Sequence, residues 1–188
     1  NHTIFLDATN KYIPYSHVPS AIQGKDAIVD KGTEYDLVTL PVLPASASTD
    51  SLSYSYTFSN GCLTGKARRS LTGDVKEYFM SQLDAIKKPY QADALMKSLL
   101  PSTQASVQDV STDSSGAPAI ITGTITNTMA VTEAGDRFYV DLNTYNAPFS
   151  DRIDAHERAT DYSFPFHARI VRESSLLLPE GASVTCLP

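Results

Sequence analysis

The sequence predicts a mainly β, α+β fold: a β-sandwich-like domain with two helices, preceded by a short β tail of a neighbouring domain. Three observations predict it. Large side chains alternate with Ser and Thr over residues 51–58, and a second alternating run covers 121–131 and 138–142. Between these runs the apolar period switches to that of a helix. The charged share is low, at 19%, while Ser, Thr and Tyr are abundant, a composition that favours strands and an extracytoplasmic setting.

Residues 1–45 differ in texture from the rest, with short extended pieces at His2–Leu6, Ala27–Val29 and Tyr35–Leu40. A stretch rich in Pro, Ala, Ser and Thr follows at Pro41–Asp50, and the boundary is placed there, with 46–50 as linker and 51–188 as the β domain. Leu52, Tyr54, Tyr56 and Phe58 interleave with Ser51, Ser53, Ser55 and Thr57, so the large side chains share one face of a pleated strand. Asn60-Gly61 supplies a turn, and Cys62–Leu71 returns as the antiparallel partner.

Val75, Tyr78, Phe79, Leu83 and Ile86 then recur at helical spacing. Asp74 is placed as N-cap and Glu77 as its capping-box partner, giving a helix over 74–87. Pro89 interrupts, and a shorter helix over 90–99 turns Leu95, Met96 and Leu99 inward before Pro101. Ile121, Gly123, Ile125, Asn127, Met129 and Val131 alternate and are followed across Glu133–Asp136 by Phe138, Val140 and Leu142, which reads as a second hairpin. Tyr162, Phe164 and Phe166 alternate as a last strand, with Pro165 at an edge or bulge.

At 188 residues the chain can build one good core, or a domain plus part of a neighbour. Its net charge of −6 and scattered cations, apart from Arg68-Arg69 and Lys87-Lys88, argue against a nucleic-acid partner. Its longest apolar run, Leu176–Leu178, ends at Pro179, far short of the ~20 residues of a membrane span. The start at Asn1 shows neither initiator Met nor signal-peptide pattern and reads as the beginning of an excised piece. Cys62 and Cys186 sit in different candidate strands; two separate small hydrophobes is the default and a disulfide the alternative.

No complete catalytic site is evident. Cys62 follows a turn, yet nothing local supplies the base or helix N-terminus that would activate its thiol, so it reads as a strand residue. There is no Gly-x-Ser-x-Gly elbow. His2, His17, His156 and His167 are solitary, which argues against zinc, and no cofactor is expected. Asp109, Asp113, Asp136 and Asp141 read as turn aspartates. His156-Glu157-Arg158 offers a base, an acid and a cation, but neighbours along a strand point to opposite faces, so a Glu-Arg contribution to strand pairing is preferred.

The stretch Phe5-Leu6-Asp7-Ala8-Thr9, with Tyr12, Pro14-Tyr15, Val18-Pro19 and Gln23-Gly24 after it, resembles the closing segment of bacterial transglutaminase-like cores. The remainder resembles the β domain of unknown function that follows such cores in envelope proteins of Gram-negative bacteria. The pieces are Asn60-Gly61-Cys62-Leu63-Thr64-Gly65 with Arg68-Arg69, Glu157-Arg158 leading into Tyr162–Pro165, and Leu178–Gly181 closing on Leu187-Pro188. The resemblance implies a Cys-His-Asp triad whose Asp is Asp7, holding the imidazole tautomer while the other ring nitrogen works on a thiol. The Cys and His would lie upstream of Asn1.

On that basis the chain is expected to be a non-catalytic accessory or structural β domain flanking a transglutaminase-like protease or acyltransferase core. Its expected partner is that upstream core of the same protein, in the periplasm or otherwise outside the cytoplasm. Two alternatives are carried. One is a carbohydrate- or peptide-binding module built on Tyr54, Tyr56, Tyr139, Tyr145 and Tyr162; the other is a small intact enzyme using Cys62.

Overall fold

A computed structural model describes residues 4–15, 17–101, 105–142 and 164–185. Its elements are β1 (Asp26–Asp30), β2 (Tyr35–Thr39), β3 (Thr49–Ser59), β4 (Cys62–Leu71), α1 (Gly73–Ala85), α2 (Lys88–Leu99), β5 (Ala105–Asp113), β6 (Ala119–Asn127), β7 (Val131–Ala134), β8 (Arg137–Val140) and β9 (Arg169–Leu177). The mainly β, α+β class is what the chain adopts. A five-stranded sheet in the order β5-β6-β4-β3-β9 is antiparallel throughout except for the β3–β9 pair, and β1-β2 and β7-β8 are separate hairpins. Two helices, not a second sheet, cover the apolar face of this sheet.

The alternation in β3 decides which face that is. Leu52, Tyr54 and Tyr56 are buried and pack with Leu63, Ala67 and Leu71 of β4, Ile121 and Ile125 of β6, and Met80, Leu83, Leu95 and Leu99 of the helices. Asn60 and Gly61 both take positive φ, as a two-residue turn between twisted strands requires. At Gly65 a Cβ would lie 1.9 Å from the Ser55 carbonyl oxygen, so only glycine fits there. The Tyr54 hydroxyl donates to the Leu99 carbonyl at 2.9 Å, joining β3 to the end of α2.

Several expectations are corrected. The N-cap of α1 is Thr72, two residues before the expected Asp74, and Glu77 binds no cap backbone. Tyr78 is exposed, and Met80 takes an inward position in its place. Pro89 does not separate the helices; it lies in the first turn of α2, where its missing N–H costs nothing. The run 121–142 is not one hairpin. β6 pairs with β4 and β5, and the chain turns where the Asn127 side-chain oxygen accepts from the N–H groups of Met129 and Ala130, so the hairpin is only β7-β8 and Met129 is exposed.

Phe164 and Phe166 precede β9 without belonging to a strand, and Phe166 instead packs on Tyr78; Tyr162 lies outside the described residues. Ile4–Leu6 forms no strand, and His2 lies outside the described residues. The linker positions 46–50 carry the end of a 3-10 turn and the first residues of β3, with Ser48 and Asp50 buried. Ala27–Val29 and Tyr35–Thr39 fall on β1 and β2 as expected.

Candidate functional site

Asp7 opens an Asx turn: its Oδ1 accepts the Thr9 N–H at 2.8 Å. Hydrogen bonding from the Thr9 side chain and backbone lowers its pKa below the ordinary carboxylate value. Its partner is local, and among the described residues no histidine is bonded to it.

The segment after Asp7 lies along α1. Asp74, Glu77, Ser81 and Asp84 recur every three or four residues and form one stripe of that helix. The Asn10 amide donates to Glu77 and Ser81, and Tyr12 and Lys11 both reach Asp84. The Lys11 contact, followed by Tyr12, holds Asp84 below its ordinary pKa. At the helix start Asp74 accepts the Ser20 N–H at 2.8 Å on Oδ1.

Asp74, His17 and Ser48 form a buried cluster, at 4%, 8% and 2% exposure. His17 Nε2 lies 3.1 Å from Asp74 Oδ2, the Ser48 hydroxyl donates to the same oxygen at 3.0 Å, and Ser48 Oγ accepts the Asp74 N–H. Gly73 takes φ +56, and a Cβ there would meet His17 Cε1 at 2.9 Å. The three residue types are those of a hydrolytic triad, but the order is wrong for one. A working base must face the hydroxyl it deprotonates; here the carboxylate sits between Ser48 and His17. The cluster fixes the loop 17–20 to α1 and to the entry of β3.

A second buried network ties three strands. Asp50 of β3 accepts two hydrogen bonds from Arg69 of β4, at 2.9 Å each, and a third from Arg172 of β9 at 2.9 Å. Burial pushes the Asp50 pKa up, but the Arg69 and Arg172 hydrogen bonds and charges outweigh it and hold the value low. Phe79 lies under the Arg69 guanidinium at 5.1 Å. This network is legible in part, since Asp50 and Arg69 continue the buried parity of Leu52 and Ala67 and a charge at such a position needs a partner.

Cys62 is half-buried and directs Sγ to the Leu63 and Asn127 carbonyls, with no base among its contacts. Cys186, His156, Glu157, Arg158 and Tyr145 lie outside the described residues. His167 is exposed, Asp113 accepts from Ser115 as a turn aspartate, Asp109 takes φ 51 at a bulge in β5, and Asp136 occupies the β7-β8 turn. The Asp141 N–H donates to the Ala130 carbonyl. Among the described residues no group of His, Cys, Asp and Glu could hold a metal, and no helix is long and apolar enough to cross a membrane.

No family model, curated protein or solved structure matches the chain. The arrangement therefore speaks through its own chemistry, which is that of polar cross-links. Tyr54 and Tyr56 stack on each other inside the core, so they cannot form an exposed aromatic platform; Tyr139 is exposed.

Proposed function

We propose that this chain is a non-catalytic accessory β domain that grips the closing segment of an adjoining transglutaminase-like core of the same protein. The supporting observation is the stripe of α1 that binds residues 10–20 at Asp74, Glu77, Ser81 and Asp84. A helix face given over to one segment fixes where that segment lies, and Asp7 enters from its end. In this reading Asp7 would complete a Cys-His-Asp triad supplied by the core, a cysteine protease or acyltransferase of an extracytoplasmic compartment. The β domain holds the segment that follows this carboxylate and takes no part in bond making.

The test is turnover of amide and ester substrates by this chain and by Cys62→Ser, with thiol labelling of Cys62 across pH. The expected outcome is no turnover that depends on Cys62. A thiolate near neutral pH with turnover that disappears in Cys62→Ser would overturn the proposal in favour of an intact small enzyme.

A further inference from the structure

On the three inner strands β3, β4 and β6, the sheet face opposite the helices is built mostly of hydroxyl side chains, while the edge strand β9 adds Val171, Glu173 and Leu177 and the edge strand β5 adds Gln108 and Asp113. Register places Ser53, Arg68 and Thr122 side by side on β3, β4 and β6, and in the next row Ser55, Lys66 and Thr124. The row beyond repeats the pattern with threonine on all three strands. Lys66 and Arg68 are exposed, stand on the central strand about 7 Å apart along it, and form no ion pair among the described residues. The nearest acid in the Arg68 row is Glu173, on the edge strand β9 beyond Ser53. In a chain of net charge −6, the middle of this face is thus locally positive.

The chemistry of the face selects its occupant. Protein interfaces concentrate energy in Trp, Tyr and Arg anchors and are poor in Ser and Lys, whereas no aromatic residue stands on this face of β3, β4, β5, β6 or β9. A neutral glycan makes no use of the two cations, single-stranded nucleic acids bind by ring stacking, and duplexes need a larger basic footprint. What remains is a ligand carrying both anionic groups and many hydroxyls. Ser and Thr each donate and accept, matching ring hydroxyls, and two cations match carboxylates by charge-assisted bonds.

We propose that this face is a binding surface for an acidic polysaccharide of the uronic-acid type. It does not depend on the accessory role above and uses none of the same residues.

The probe is polygalacturonate, with dextran as the neutral glycan and poly-glutamate as the acidic peptide, measured by affinity electrophoresis and titration calorimetry on the full chain. Polygalacturonate should bind, dextran should not, and poly-glutamate should bind at least about tenfold more weakly. Binding should weaken as salt rises from about 0.05 M to about 0.5 M. The double variant Lys66→Ser/Arg68→Ser should lose about tenfold in affinity. Ser55→Ala/Thr64→Val, which removes hydroxyls and leaves both charges, should lose about threefold; both variants should melt within a few degrees of the parent, which shows that the sheet is intact. No polygalacturonate binding, equal binding of poly-glutamate, or unchanged affinity in folded Lys66→Ser/Arg68→Ser would overturn the proposal.

Discussion

Replacing Asp50 with Asn keeps the shape of the side chain and removes the charge that two guanidiniums share. Asp50 is 7% exposed, and Arg69 and Arg172 have side chains only 17% exposed, so neither cation can turn to water without disturbing β4 or β9. Breaking such a buried pair typically costs about 3 to 5 kcal/mol, because the surviving charge stays desolvated. For a chain of this size that is a fall of about 10 °C in Tm. The pH dependence has a fixed sign. The folded pKa of Asp50 is lowered, so its contribution is present above the unfolded value near ~3.9 and is lost as pH falls through the folded value. Urea unfolding followed by circular dichroism, at pH 7 and at steps down to about pH 3, should show a large loss at neutral pH for Asp50→Asn and a flatter acid limb than the parent's. A loss under about 1 kcal/mol at pH 7, or an acid limb as steep as the parent's, would show that the two guanidiniums do not depend on the Asp50 charge.

Two neighbouring tyrosines should respond oppositely to the same change. Tyr54→Phe orphans the buried Leu99 carbonyl and should cost about 1 to 3 kcal/mol, whereas the buried Tyr56 hydroxyl has no hydrogen-bond partner among the described residues, so Tyr56→Phe should be neutral or stabilising by denaturant midpoint. In spectrophotometric titration, burial pushes the Tyr56 phenol up to about 12, so it should ionise after the exposed tyrosines and only near alkaline unfolding. Gly65→Ala forces a methyl onto the Ser55 carbonyl and should lower stability by about 3 kcal/mol or more; a midpoint within experimental error of the parent would show that the two strands can separate there.

The parts of the fold that are legible in the sequence are those set by local period. The alternation of Leu52, Tyr54 and Tyr56 with serines, closed by Asn60-Gly61, specifies the β3-β4 hairpin because a one-residue slip would move every large side chain to water. The helical spacing from Val75 to Ile86, and then that of Leu95 and Leu99, specifies α1 and α2, although Tyr78 of the first run turns out exposed. Partner choice is another matter. β9 lies parallel to β3 across more than a hundred residues, and no local signal in Ile170 or Val171 names that neighbour. Asn127 shows how a side-chain bond ends a strand whose alternation continues, since its amide oxygen takes the two N–H groups that the ladder would have used. The buried cluster was hidden by similar chemistry: Asp74 has the residue type of an N-cap and stands two residues after one, but its oxygens serve His17, Ser20 and Ser48.

The grip of α1 on residues 10–20 is tested most directly by amide hydrogen exchange on the parent and on Asp74→Ala, a change that orphans the Ser20 N–H, the Ser48 hydroxyl and His17 together. The Ser20 and His17 amides should be clearly protected in the parent and lose that protection in the variant, while the β3, β4 and β6 amides stay protected. Unprotected amides at Ser20 and His17 in the parent, or protection unchanged by Asp74→Ala, would contradict that grip.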